Sequence, residues 1–249
     1  MIDTHAHLHL IRRSIDNIIL AAKEAGVSHI IQVAIDEDSI RKNIDVYHFY
    51  DELSISGGIH PLSVSESSNI ISIIDYIELN ASKFCAIGEI GLDYKYGFDN
   101  KDLQIEWFYA QLDLAKRLNL PAIIHSRHSD EDMLAIVNQY PDVKKVFHCY
   151  ATNLDFYEAL VGDCNYVSFT GMITYSKKGK VVNALRNIPF NRMMIETDAP
   201  YLLPSGIKVE QNAPEFVGKV AEYIAHLREI EYVDVVDQTT KTAQSFFGI

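Results

Sequence analysis

Residues 1–34 read MIDTHAHLHLIRRSIDNIILAAKEAGVSHIIQVA. The segment near 2–8 alternates, placing Asp3, His5, His7 and His9 on one side of an extended chain and Ile2, Thr4, Ala6 and Leu8 on the other. Next comes SIDNIILAAKEAG, whose apolar residues recur at spacings of three and four before a glycine, which predicts a helix. A β-branched run near 28–35 follows. Strand, helix and strand make one β/α/β unit.

The unit repeats along the chain. Further strands are predicted near 53–59, 84–89, 121–126, 145–149, 165–170 and 192–197, separated by helical segments such as NIISIIDYIELNAS and LQIEWFYAQLDLAKRLN. Eight alternations within 249 residues predict an α/β fold, a single-domain TIM-like (β/α)8 barrel over 1–249, rather than an open doubly wound sheet. The tail from Asn212 to Ile249 reads as two extra helices, with Pro214 suited to a first turn, and these are expected to cover the outside of the barrel.

Composition narrows the class. Hydrophobic residues make up 48% of the chain, yet no apolar run approaches the roughly 20 residues of a membrane span. The N-terminus lacks the basic and apolar regions of a signal peptide, so a cytoplasmic location with no membrane partner is the expectation; a monomer is the default where the sequence is silent on assembly. Cys85, Cys149 and Cys164 form no Cys-x-x-Cys pair and read as reduced, packed thiols. A net charge of −12 argues against broad, nonspecific nucleic-acid binding, so an anionic substrate would need local help, which bound divalent cations supply.

In such barrels functional side chains come from the C-terminal ends of strands. Here those ends carry His5 and His7, then His60 in GGIHP, Glu89 in IGEIGLDY, His125 in IIHSR, His148 in FHCY and Asp198 in ETDAPYL. Any one alone has a plain structural reading: a polar strand face, a core histidine, a turn-starting aspartate. An unpaired Glu89 in an apolar strand is costly, however, and calls for a cation or a basic partner. His9, His29, His48 and His226 fall outside the strand ends. The set predicts two divalent ions, one held by His5, His7 and Asp198 and one by His125 and His148, with Glu89 bridging. Imidazole and carboxylate suit Zn2+ or Mn2+, Fe2+ and Ni2+ as well, and the carboxylates also accept Mg2+.

The segments DTHAHL, GIHP, GEIGLDY, IIHSR, HCY and ETDAPYLLP together resemble the TatD family of metal-dependent deoxyribonucleases, within the amidohydrolase superfamily. The resemblance covers nearly the whole chain and keeps the order of six signatures. It implies a TIM-like barrel, a divalent metal centre and hydrolysis of DNA phosphodiesters, typically as a 3′ to 5′ exonuclease on single-stranded ends. It assigns His5, His7, Glu89, His125, His148 and Asp198 as metal ligands and His60 as an active-site residue. Where family members carry a GKRN type of segment after PYLLP, this chain reads SGIKVEQNAPEF, and HCYATN replaces an HCFSG type of turn. Both departures fall among substrate contacts and spare the metal positions.

On this reading Asp198 orients or deprotonates the attacking water, Glu89 bridges the ions, and His60 contacts the phosphate or protonates the leaving oxygen. Arg12, Arg13, Lys95, Arg127, Lys177, Lys178 and Lys180 follow strand ends and would form a basic collar for DNA, with Tyr94, Tyr96, Tyr150, Tyr175 and Tyr201 near enough to stack on bases. Two other functions compete: a metal-dependent hydrolase of small esters, lactones or amides, and a nonenzymatic metal-binding barrel.

Overall fold

In a computed structural model, which describes residues 1–67 and 69–249, the eight predicted strands are present. They are β1 (Ile2–Ala6), β2 (His29–Gln32), β3 (Leu53–Gly57), β4 (Phe84–Asp93), β5 (Ala122–Arg127), β6 (Lys145–Phe147), β7 (Asn165–Phe169) and β8 (Met193–Ile195). All pair in parallel, in chain order. A parallel bridge from Ala6 to Ala199, with Asp198 N–H donating to the His5 carbonyl at 2.9 Å, brings the end of β8 back to β1. This is the (β/α)8 barrel that the alternation predicts.

The connecting helices are α1 (Ile15–Glu24), α2 (Glu37–Val46), α3 (Ile70–Leu79), α4 (Lys101–Leu118), α5 (Asp130–Val137), α6 (Leu154–Glu158) and α7 (Lys180–Asn187), followed by α8 (Val217–Arg228) and α9 (Tyr232–Phe247). Among the described residues no helix is long and apolar enough to cross a membrane. Local chemistry starts these helices where the strands stop. Asp36 and Ser39 form a reciprocal capping box at the head of α2, and Asn69 accepts from Ile71 and Ser72 at the head of α3.

The strands bury residues on both faces. Ile30, Ile55, Ile124 and Ile195 pack outward against the helices. Ile31, Val33, Ile123, Val146 and Met194 form a separate inner cluster. On β5 and β6 the period of two then carries His125 and His148 inward, one step above Ile123 and Val146. α9 departs from the expectation of an outer cover: its Ala243, Phe246 and Phe247 join the inner cluster. An amphipathic helix announces that it buries a face but not which surface receives it.

Two ladder irregularities fall at functional positions. Between Asp3 and Ala6, and again between Ile87 and Ile90, one strand carries an extra residue relative to its partner. Such bulges re-aim side chains, and the interrupted segments hold His5 and Glu89. Gly91 completes the second: with φ 141°, a Cβ there would lie 2.0 Å from the His125 carbonyl oxygen, so only glycine lets β4 run this close to β5.

Lys145 begins β6 and is fully buried, its Nζ donating to the Tyr140 and Val143 carbonyls at 2.6 and 2.7 Å. Burial pushes its pKa down to about 8, against 10.5 in an ordinary lysine. Between those values the unfolded chain binds the extra proton, so stability rises with pH. From pH 7 to 9.5 the wild type is expected to gain about 2 kcal/mol on Lys145→Met, read by urea unfolding of both proteins at each pH. A constant difference would show that Lys145 titrates normally.

Candidate metal centre

Glu89 lies at the middle of the site, 2% exposed. Its two carboxylate oxygens face different imidazoles. Oε2 is 3.3 Å from His5 Nε2 and 3.7 Å from His7 Nε2, while Oε1 is 2.9 Å from His125 Nδ1 and 2.8 Å from His148 Nε2. Asp198 Oδ1 stands 3.8 Å from His5 Nε2 and 3.5 Å from His7 Nε2, and those two nitrogens are 3.2 Å apart.

These spacings test whether ions fit. Ligand atoms bound about 2.1 Å from a tetrahedral ion lie roughly 3.4 Å from one another. The five pairs given above among His5, His7, Glu89 Oε2 and Asp198 range from 3.2 to 3.8 Å. His125 Nδ1, His148 Nε2 and Glu89 Oε1 form a tighter triangle of 2.8, 2.9 and 3.3 Å, near the roughly 3.0 Å spacing round an octahedral ion. The residues present fit two divalent cations sharing one carboxylate.

Hydrogen bonds set which nitrogen His7 and His125 offer, whereas the buried Nδ1 atoms of His5 and His148 have no hydrogen-bond partner among the described residues. The Val33 carbonyl accepts from His7 Nδ1 at 3.0 Å, leaving Nε2 as a lone pair aimed at the site. His125 turns Nε2 to Asp93 Oδ2 at 3.1 Å and presents Nδ1. His148 Nδ1 is 3.4 Å from Glu196 Oε1, and Glu196 is pinned by the Cys149 N–H at 2.7 Å and by the Ser168 hydroxyl. Burial alone would raise the pKa of Glu89, but the surrounding imidazoles, His148 foremost, hold it well below the carboxylate range. Glu89 is therefore an anion.

His60 behaves differently. Its Nδ1 accepts the Leu62 N–H at 3.1 Å, so in the neutral ring the proton sits on Nε2, which faces Glu89 Oε1 at 3.5 Å. Burial, reinforced by His125 and His148 against the opposing Glu89 charge, pushes the pKa of His60 down to about 4. His60 can be grouped with Glu89 and His125 as a possible ligand set, but an Nε2–H is a donor and offers no lone pair to an ion.

The loop that carries Asp198 is held from below. Asp3 accepts from the Thr197 N–H at 2.8 Å and the Thr197 hydroxyl at 2.5 Å, and Asn212 donates to the Thr197 and Tyr201 carbonyls at 2.9 and 2.6 Å. Asp198 itself has φ 55°. Among the described residues six non-glycine positions share that left-handed region; Asn119 and Glu229 are helix C-caps, and His128, Cys149, Asp198 and Leu202 line the cavities around the metal centre. Strain of this kind concentrates at functional sites.

The cavity above the ligands encloses about 470 Å3, and Tyr96, Arg127, Met172 and Tyr201 contribute to its walls. The expected collar is only partly free. Arg12 pairs with Glu210 at 2.6 Å, and Arg13 grips Glu215 with two bonds of 2.9 and 2.8 Å. Arg127 instead lies over the Tyr96 ring, 4.8 Å from its centre. Of the tyrosines, Tyr96 and Tyr201 line this cavity, while Tyr94 donates to Asp132 and Tyr150 is buried.

The sequence matches the family described as TatD related DNase over residues 2–248. The chain belongs to the TatD family. It is 34% identical over 255 residues to a Bacillus subtilis protein named uncharacterized metal-dependent hydrolase YabD, covering 100% of this chain and 99% of that one. It is 28% identical to the 3′-5′ ssDNA/RNA exonuclease TatD of Erwinia tasmaniensis, covering 94% and 93%. The crystal structure of the TatD homolog YJJV from Escherichia coli K12 superposes with a TM-score of 0.91 at 26% identity, covering 100% and 98%. Its TatD membership makes this chain a metal-dependent hydrolase, and the ligand clusters accord with that.

All seven residues picked from the TatD signatures gather in one cavity or directly beneath it. Asp93 and Glu196, which orient His125 and His148, were not among them. Asp93 carries a signal, lying four positions after Glu89 in β4, a multiple of the period that puts strand residues on one face; Glu196 lies just past the end of β8. His9, set aside from the sequence, falls in the 3-10 turn after β1, and His29 bonds Ser54 at the opposite end of the barrel.

Proposed function

We propose that this chain is a deoxyribonuclease that hydrolyses phosphodiester bonds at the 3′ ends of single-stranded DNA, working with two divalent cations. The observation carrying the reading is the division of the Glu89 carboxylate, one oxygen toward His5 and His7 and the other toward His125 and His148. Paired ions sharing a carboxylate are the recurrent arrangement for in-line displacement at phosphorus. The name borne by the Erwinia relative, and the free Arg127 and exposed Tyr96 and Tyr201 at the mouth, favour a nucleic acid over a small ester.

Ions bound here supply Lewis acidity, making water acidic enough to lose a proton near neutral pH and opposing the charge that gathers on a phosphoryl group. The chain's residues do the rest. His5, His7, Glu89, His125, His148 and Asp198 would hold the ions, with the His7 and His125 lone pairs fixed inward by their outer hydrogen bonds. Asp198, 14% exposed at its side chain, keeps an oxygen available to orient the attacking water and take its proton. His60 donates its Nε2–H to a phosphoryl oxygen.

His60→Ala is expected to lower turnover by about a hundredfold, the usual loss for one transition-state donor, with metal content unchanged on elemental analysis. Loss of an ion in that variant would make His60 a ligand. The function itself is tested by incubating metal-reconstituted protein with 5′-labelled single-stranded DNA and RNA and, in parallel, with a panel of esters and lactones. Shortening from the 3′ terminus is the expected result. Ester or lactone turnover without shortening would overturn the nuclease reading and select its rival.

A further inference from the structure

On its inward face α4 carries two glutamines, Gln104 and Gln111, which are 1% and 2% exposed. They lie two helical turns apart, and Trp107 and Phe108, both buried, stand between them on the same face. An amide in such an apolar seam is costly unless its oxygen and its NH2 group find partners. Both side chains find them on the backbone, and each does so next to a group of the metal centre. Nothing in the catalytic scheme above uses α4.

Gln111 pairs with Ile59. Its Oε1 accepts the Ile59 N–H at 2.7 Å and its Nε2 donates to the Ile59 carbonyl at 3.2 Å, while the Trp107 carbonyl of its own helix, 3.3 Å away, also accepts from Nε2. Ile59 is buried and lies past the end of β3, whose ladder with β4 closes on the pair Gly57 and Ile87. The helix thus bonds both polar groups of a residue that the ladder no longer holds. His60 comes next, its own N–H donating to the Ile35 carbonyl at 2.9 Å. Its backbone is fixed on both sides, and its Nε2 comes to 3.5 Å from Glu89 Oε1.

Gln104 does the same for the loop after β4. Its Oε1 accepts the Asp93 N–H at 2.8 Å, and its Nε2 donates to the carbonyls of Asp93 and Gly97 at 3.2 and 2.7 Å. The Asp93 carboxylate in turn faces His125 Nε2 at 3.1 Å and accepts the Lys95 and Tyr96 N–H groups at 3.0 and 2.9 Å. A Cβ on Gly97 would lie 2.5 Å from Gln104 Nε2, so a side chain there would push the amide out of these bonds.

We infer that Gln104 and Gln111 are positioning residues for the hydrolysis, Gln111 acting through His60 and Gln104 through Asp93 on His125. One helix thereby holds the donor to the phosphoryl oxygen and a ligand of the ion in a single rigid frame, although they stand on loops of different β/α units. The inference rests on the roles given to His60 and His125 above and deepens them. Displacing a reacting group by about 1 Å costs about a hundredfold in rate, and loops alone do not hold that tolerance.

The test is a pair of variants close in size to the wild type, Gln111→Met and Gln104→Met. Gln111→Met is expected to lower turnover at least about tenfold with two ions still bound. In the His60→Ala background the same change should cost less than about twofold, since the group it positions is gone. Gln104→Met is expected to weaken one of two Zn2+ ions at least about tenfold, the effect of loosening a ligand's outer partner, read by calorimetric titration of the metal-free protein. Each result decides its own residue. A loss that multiplies in the His60→Ala background, or an ion lost from Gln111→Met, overturns Gln111; Zn2+ affinities equal to those of wild type overturn Gln104. Should a methionine variant fail to fold, Gln111→Glu or Gln104→Glu keeps the size and an acceptor, lacks the NH2 group, and is read in the same way. The Zn2+ titration needs no substrate, and the double-variant comparison uses whichever of single-stranded DNA and the ester panel the wild type hydrolyses. A protein that degrades no DNA would therefore overturn the nuclease reading and leave the two glutamines standing.

Discussion

Glu89→Gln is expected to empty both ion positions and to lower hydrolytic turnover by at least about a thousandfold, the effect of removing several kcal/mol of charge stabilisation. The amide is nearly the same size as the carboxylate but offers one oxygen, and its NH2 group has no lone pair for an ion. Whichever way it turns, it must present that NH2 either to His5 and His7 or to His125 and His148, since Glu89 divides its oxygens between them. The anion that balances both cations is lost as well. Elemental analysis after metal loading, beside turnover, checks the prediction. Two ions per chain in the variant would remove Glu89 from its bridging role.

Asp198→Asn should act on one ion alone. Asp198 approaches His5 and His7, on the Oε2 side of Glu89, and the triangle of His125, His148 and Glu89 Oε1 is complete without it. The expected protein binds one ion per chain and turns over about a thousandfold more slowly, having lost a ligand and the group that receives the water's proton. The backbone contacts that shape the loop remain, through Asp3, Asn212 and the Asp198 N–H. Thermal unfolding of the two chelator-treated proteins should therefore coincide closely. Two ions with reduced activity would confine Asp198 to proton transfer, and zero ions would mean that the positions are filled cooperatively.

Much of this was legible from residue order. Alternation in THAHL announced His5 and His7 on one face, and the β/α rhythm placed Glu89, His125, His148 and Asp198 toward the C-terminal ends of β4, β5, β6 and β8, although β4 runs four residues past Glu89. Parity within β4 also pointed to Asp93, though only a search for groups that orient ligands would have used it. The bulges at His5 and Glu89 were not legible, because they come from how neighbouring strands register when the barrel closes. Neither were the ties of Arg12 to Glu210 and Arg13 to Glu215, whose partners lie about two hundred residues away along the chain.

Phe246 and Phe247 stopper the base of the barrel. Eight β/α units by themselves would leave the lower edge of the packed interior facing water. Ile123 and Val146, which touch this stopper's cluster, stand two residues below His125 and His148. Dryness of the ground on which the ligands stand is thus furnished by a helix that belongs to none of the eight units, and loosening α9 would let water rise toward the imidazoles from the side opposite to substrate.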